Sequence, residues 1–291
     1  MRHKTLFITF ILVVLVICSL SAQTKSLIRD RRLNEVSGIV ASSVNKGLYY
    51  VHNDSGGKPE VYAIDGKGKI KAVFVLNNTI NRDWEDIAIG PGPEQGRNYV
   101  YVGEIGDNRA QYSTVYLYRF AEPDLKTIPR KKRSSYLISD IDTLRFVFED
   151  GAKDCETLFI DAVNGDVYLV SKREQTVGLY QIKEPLSKTE INTAKRILSL
   201  DFALAVGGDL SQKNNKVLIK TYEKIYLWHI PKGLSIADAL SLPYAELPYE
   251  TEPQGEAICW SGDGKNYLTL SEKYSDKPLY LYTYKYLKSK Y

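Results

Sequence analysis

Residues 83–107 read DWEDIAIGPGPEQGRNYVYVGEIGD, and the order of events in this stretch decides the fold. An acidic cluster runs into an aliphatic segment, a turn rich in Gly and Asn follows, and a Tyr/Val-rich strand comes next. The same succession recurs along the chain. The clusters are EVSGI (35–39), DWEDI (83–87), DCETL (154–158), VGGDL (206–210) and QGEAI (254–258), with Ser37, Glu85, Glu156, Gly208 and Glu256 at their middles. Their spacings are 48, 71, 52 and 48 residues. One interval therefore holds an insertion of about 20 residues, which falls within 121–150.

After each cluster comes a turn: SVNKG, GPEQGRN, DAVNGD, SQKNN or SGDGKN. A strand follows in each case: LYYVHN, YVYVGE, VYLVSK, VLIKTY or YLTLSE. Beyond a polar loop lies a third strand: VYAID, VYLYRF, LYQIKE, IYLWHI or LYLYTY. Segments such as KAVFVL (71–76) and TLRFVF (143–148) can serve as a fourth. β-Branched and aromatic runs bounded by turn formers are the strand and hairpin signal. A repeat of about 50 residues with four strands reads as a propeller blade. One blade cannot bury both faces, whereas a ring of blades can. The expectation is an all-β propeller of five blades, or six if 121–150 contains a degenerate one. The last repeat runs out of chain before a fourth strand, so SLIRDRRL (26–33) is expected to supply it and close the ring.

Composition agrees. Tyr is abundant at 22 residues and Met occurs once, which suits strands. A formal charge of +4 with scattered basic residues gives no nucleic-acid footprint. The dense run Arg130-Lys131-Lys132-Arg133 reads as a solvated loop. Residues 1–22 have a basic start, an apolar run and a small-residue end, the layout of a signal peptide. That apolar run is short for a spanning helix. Export to the periplasm or beyond is expected, with cleavage near Ala22 and residues 23–291 as a single, monomeric domain; an uncleaved anchor is the alternative. Cys18 follows Ile17, where a lipoprotein site needs a small residue. Cys155 and Cys259 each lie in an apolar strand and are expected to be buried thiols.

In such a ring, the loop entering each first strand and the loop after each second strand open on one face. The inner set contains Glu35, Asp83, Glu85, Asp86, Asp154, Glu156, Asp209 and Glu256. Alternation puts Asp83 with Glu85, and Asp154 with Glu156, on a common side. Around them stand Asn53, Glu104, Lys172, Tyr222 and Glu272, with Asp54, Lys220, Arg173 and Lys273 beside them. GEIGDNR (103–109) adds Asp107, Asn108 and Arg109 as a rigid polar loop. These residues are the candidate ligand-binding ring. Carboxylates so close together repel and need cations or raised pKa values.

Three readings stay open. The acids tie neighbouring blades together, or they hold a hard cation, or they carry acid/base catalysis with Lys172 and Lys220 positioning an anion. For the cation, calcium fits oxygen ligands from Glu85, Asp86, Asp154, Glu156, Asp209 and Glu256. Zinc lacks support, because beyond the signal segment only His52 and His229 remain and they form no ligand pair. Trp84 is expected to point away from the channel. Tyr62, Tyr116, Tyr180, Tyr226 and Tyr280 recur as third-strand core. HNDSGG (52–57) looks like a protease nucleophile setting, yet it occupies a repeating loop position, and His52 is too close to Ser55 to serve as its base.

Taken together, NDSGG, DWEDIA, GEIGDN, DCETL with YLVSK, and QGEAI resemble a group of exported bacterial β-propeller proteins. That group is loosely akin to NHL-repeat, phytase-like and esterase-like propellers. The resemblance implies a propeller and export. Phytase-like propellers hold calcium with acidic residues around the channel, which Glu85, Asp86, Asp154, Glu156 and Glu256 would match in kind. Activity does not transfer with a fold. The leading expectation is binding of a small polar, anionic or glycan-like ligand, with calcium. A metal-assisted hydrolase of a phosphoester, lactone or ester and a protein-interaction scaffold are the alternatives.

Overall fold

Alternating apolar and polar runs fold here as short strands separated by Gly/Asn turns, and the described residues are all-β apart from two short helical turns. The computed structural model describes residues 23–287, so the expected signal segment lies outside the described residues. The first strand is β1 (Gln23–Leu27). A first unit then contains β2 (Val36–Ala41), β3 (Leu48–Asn53), β4 (Glu60–Asp65) and β5 (Ile70–Leu76). A second contains β6 (Trp84–Pro91), β7 (Asn98–Glu104) and β8 (Val115–Ala121), and after the short β9 (Tyr136–Ile138) it is completed by β10 (Asp142–Phe148). The third contains β11 (Cys155–Ile160), β12 (Val167–Ser171), β13 (Val177–Ile182) and β14 (Asn192–Leu200). The fourth contains β15 (Ala205–Leu210), β16 (Lys216–Thr221), β17 (Ile225–His229) and β18 (Ala245–Leu247). The last contains β19 (Gly255–Trp260), β20 (Asn266–Ser271) and β21 (Tyr280–Lys285). Among the described residues helix is confined to α1 (Ile236–Leu240) and a 3-10 turn at Arg130–Lys132.

Within each unit successive strands pair antiparallel. β9 adds to β5 in parallel and makes the first sheet five-stranded. β10 and β14 pair in parallel over three residues, which joins the second and third units into one eight-stranded sheet. The segment between β8 and β10 is the insertion. Its Arg133 turns inward and donates to the Ile128 and Leu125 carbonyls, so the basic run is partly a turn clamp.

Each first strand packs on the next. β2 lies against β6, β6 against β11, β11 against β15, β15 against β19, and β19 returns to β2. Buried apolar side chains form a cluster at every one of these junctions. Trp84 is fully buried between the first and second units, donating to the Ile80 carbonyl at 3.0 Å with its ring edge-on to His52. Cys155 and Cys259 are buried free thiols.

The closing strand differs from the expected one. β1 pairs antiparallel with β21, from Gln23↔Tyr284 to Leu27↔Tyr280, so the strand lies upstream of most of SLIRDRRL. The reason is local. Asp30 accepts from Arg32 through both backbone and guanidinium and makes a turn of 30–33, which drops Leu33 into the core.

Two acids tie the inner strands together. Asp86 is fully buried, and its carboxylate accepts N–H groups from Ile87 at 2.8 Å, Leu158 at 2.9 Å and Gly208 at 3.2 Å, linking three units. Asp209 accepts from Trp260 N at 2.7 Å in the last unit. Burial pushes the Asp209 pKa up to about 8. Removing a buried acceptor leaves each donor with its desolvation penalty, about 1–3 kcal/mol apiece. Asp86→Ala is therefore expected to lose at least about 3 kcal/mol in urea unfolding, and a loss below about 1 kcal/mol would contradict this role.

Candidate functional site

The first strand of every unit begins with the same irregularity. Its register against the second strand shifts by one residue, between Val36 and Gly38, Trp84 and Asp86, Cys155 and Thr157, Ala205 and Gly207, and Gly255 and Ala257. The residues left without a cross-strand partner are Ser37, Glu85, Glu156, Val206 and Glu256. A bulge re-aims the side chain of its extra residue, and here it turns three carboxylates into a shared, buried space. Glu85, Glu156 and Glu256 are 4%, 3% and 6% exposed. The fourth unit corrects the sequence alignment, because Val206 and not Gly208 occupies the shared position. Gly208 instead sits tight against the Leu218 carbonyl and Thr157, where a Cβ would clash.

Register also corrects the surrounding ring. Asn53, Glu104, Ser171, Thr221 and Ser271 are equivalent by pairing, so the inward-reaching set one residue later is Asp54, Ile105, Lys172, Tyr222 and Glu272. The expected set mixed the two registers at Asn53 and Glu104. Asn53 donates to the Arg32 carbonyl at 2.7 Å. The Glu104 carboxylate accepts from Arg82 N at 2.8 Å and Asp83 N at 3.0 Å and pairs with the Arg82 guanidinium, fixing the loop that carries Asp83.

Two groups of acids have ligand atoms all within 4.8 Å of one another: Asp54, Asp83 and Glu85, and Glu85, Asp154 and Glu156. Glu85 belongs to both. Alternation from Asp83 to Glu85 and from Asp154 to Glu156 brings each pair together, as the sequence implies. Gly106 backs the cluster so closely that a Cβ there would lie 2.2 Å from Glu85 Oε1 and 2.6 Å from Asp83 Cγ. Only glycine permits that approach.

On one side the negative charge is answered. The Lys172 ammonium donates to Glu156 Oε1 and to Tyr222 OH at 3.0 Å, and Tyr222 OH donates to Glu256 Oε1 at 2.8 Å. Burial alone would lower the Lys172 pKa, and the Glu156 carboxylate beside it outweighs this and pushes it up. Arg173 pairs with Asp154 at 2.5 Å and also donates to Asn108, while Asp107 N donates to Asp154 at 2.9 Å. The Asp107 carboxylate accepts from Tyr112 N at 2.6 Å and holds its loop in shape. Arg109 and Lys273 are exposed, the latter anchored through its N–H to the Asn34 carbonyl. Lys220 does not reach the open end. It is buried against the Gly255 and Thr221 carbonyls, and burial lowers its pKa to about 8. Sequence reasoning missed Glu252, buried near Lys220 with a pKa raised by burial to about 7. It lies in a loop with no repeat signal to mark it.

The other side is unanswered. No described ion pair or hydrogen bond engages the Glu85 carboxylate. Buried Glu156 Oε2 and Asp54 Oδ1 have no hydrogen-bond partner. Burial first, then the neighbouring Glu156, Asp54, Glu256 and Asp83, hold the Glu85 pKa well above the usual range. Burial likewise raises Asp54 and Asp83 to about 6 and Glu272 to about 8. Asp86 and Asp209 stand apart from this group, engaged by backbone donors. Ser55 is exposed, and buried His52 is held neutral near pKa 4 by desolvation, so no serine triad forms. Comparison with protein-family models and with curated proteins finds no match to this chain.

A carboxylate whose pKa is higher folded than unfolded favours folding below its unfolded value and loses that contribution as pH rises to the folded one. In the absence of any cation, stability is therefore expected to decline from about pH 4 to pH 8, and Glu85→Gln should flatten the slope. At pH 8 this substitution should raise stability, because it removes a buried carboxyl group whose pKa is held well above its ordinary value by burial and by neighbouring acids. Urea unfolding at several pH values checks this, and a destabilised Glu85→Gln protein would mean that Glu85 is a structural tie.

Proposed function

We propose that this chain is an exported five-bladed β-propeller that binds a small polar, anionic or glycan-like ligand at its acidic end, with a hard divalent cation seated among the inner carboxylates. Five antiparallel units, first strands that pack in a closed cycle and an apolar cluster at each junction support the propeller. β1 paired to β21 supports closure between the last blade and the chain start.

The observation that carries the functional reading is the convergence on Glu85 of two acid groups in a buried space where no described residue forms an ion pair or hydrogen bond with the Glu85 carboxylate. A structural tie would pair its carboxylate with donors, as Asp86 does. Oxygens bound to one Ca²⁺ at about 2.3–2.6 Å lie at most about 5 Å apart, and these acids meet that limit. Glu85, Asp154 and Glu156 would hold the ion, with Asp54 and Asp83 beside them. Calcium bound there would neutralise the cluster and leave Asp54, Tyr222, Glu272, Arg173 and Asn108 as a polar rim for the ligand. A cleft of about 480 Å³, lined by Ser43, Lys46, Gln212 and Asp263 among others, belongs with the turns at the opposite ends of the strands.

Thermal melting after chelator treatment, with Ca²⁺ then added back, tests this. Ligand at 100 times its Kd adds about 2.7 kcal/mol, which for a domain of this size is roughly 5–10 °C in Tm. The shift should be larger at pH 8 than at pH 5, where protons compete for the same oxygens. It should shrink in Glu156→Gln. No shift with millimolar Ca²⁺, Mg²⁺ or Mn²⁺ would remove the cation from the account.

A further inference from the structure

The two acid groups are neither copies of one another nor equally enclosed. Glu85, Asp154 and Glu156 are all buried, whereas Asp54 and Asp83 are half-buried and approach Glu85 from the open side. Ligand atoms are mutually close within each group, and Glu85 is the member they share. A carboxylate has two oxygens and can bind a cation with each. Glu85 is more than nine-tenths buried and no described residue pairs with it. On the inner side, Glu156 directs a second buried, unpartnered oxygen, and on the outer side Asp54 Oδ1 is likewise without a partner.

We infer that the acidic end holds two adjacent divalent cations bridged by the Glu85 carboxylate. This rests on the cation reading proposed above and extends it. The inner cation takes Glu85, Asp154 and Glu156, and it fixes the loop that Arg173, Asn108 and Asp107 already brace around Asp154. The outer cation takes Glu85, Asp54 and Asp83. With only three protein ligands, two of them half-buried, out of the six to eight oxygens that calcium prefers, it keeps positions facing solvent. Those positions suit an oxyanion group of the ligand, a carboxylate or a phosphate. The inner cation serves the loop structure and the outer one serves recognition.

Isothermal titration of the chelator-treated protein with Ca²⁺ alone, at pH 8, tests the assignment. Two equivalents are expected for the natural protein. Asp83→Asn and Asp54→Asn should each lose one and keep the other, while Glu156→Gln should lose the complementary one. Glu85→Gln should weaken both at least tenfold. Circular dichroism and melting of each variant verify the fold, and Asp83→Asn at the half-buried edge keeps the test open if Glu85→Gln fails to fold. One equivalent, abolished by both Asp83→Asn and Glu156→Gln, would overturn the two-cation site while leaving the cation reading intact. Two equivalents untouched by Glu85→Gln would overturn the bridge. No binding at all would sink both readings.

Discussion

The structure depends on one steric constraint: five first strands pack one on the next in a closed cycle, and each begins with an extra residue that its partner strand cannot pair. Bulges bend the strand and turn one side chain out of the alternating pattern. Each falls at the same step of its strand, and the bulge residues Glu85 and Glu156 come within ligand distance of each other. Where that residue is Ser37 it hydrogen-bonds to the Trp84 carbonyl of the next unit, and where it is Val206 it is a buried apolar side chain. In the other three units it is glutamate. The acidic centre is thus a consequence of backbone geometry combined with three residue choices.

The carboxylates of the inner strands divide into two kinds by their partners. Asp86 and Asp209 accept backbone N–H groups from neighbouring units and hold the cycle together. Glu156 and Glu256 are half-compensated by the Lys172–Tyr222 chain. Glu85 has neither kind of support, and mutual repulsion is its dominant interaction after desolvation. A buried carboxyl group in this position is either charged at high cost or held protonated by its surroundings. Its place where the two acid groups meet is the physical argument for a ligand that supplies positive charge.

Much of this was legible in the sequence. The repeat spacing located all five first strands, and turn chemistry located the hairpins, because both depend on local pattern. Alternation placed Asp83 with Glu85 and Asp154 with Glu156. Three things were not legible. The fourth cluster was aligned by Asp209, although the bulge falls at Val206, where no acid marks it. The register at Asn53 and Glu104 slipped by one, since both types are polar and a one-residue shift reverses the face without altering the pattern. Asp86 reads as a site acid in DWEDI, and only the positions of the Leu158 and Gly208 N–H groups, contributed by distant segments, reveal it as a tie. The first two misses are matters of strand register, and the third is long-range hydrogen bonding.

The most direct measurement of the central claim is an anomalous-diffraction map of crystals grown with Mn²⁺ or Tb³⁺. The account predicts anomalous density in contact with the Glu85 carboxylate and flanked by Asp154 and Glu156, with Lys172 remaining on the far oxygen of Glu156. Absence of density there, with the Lys172 ammonium moved in to pair with Glu85, would contradict it.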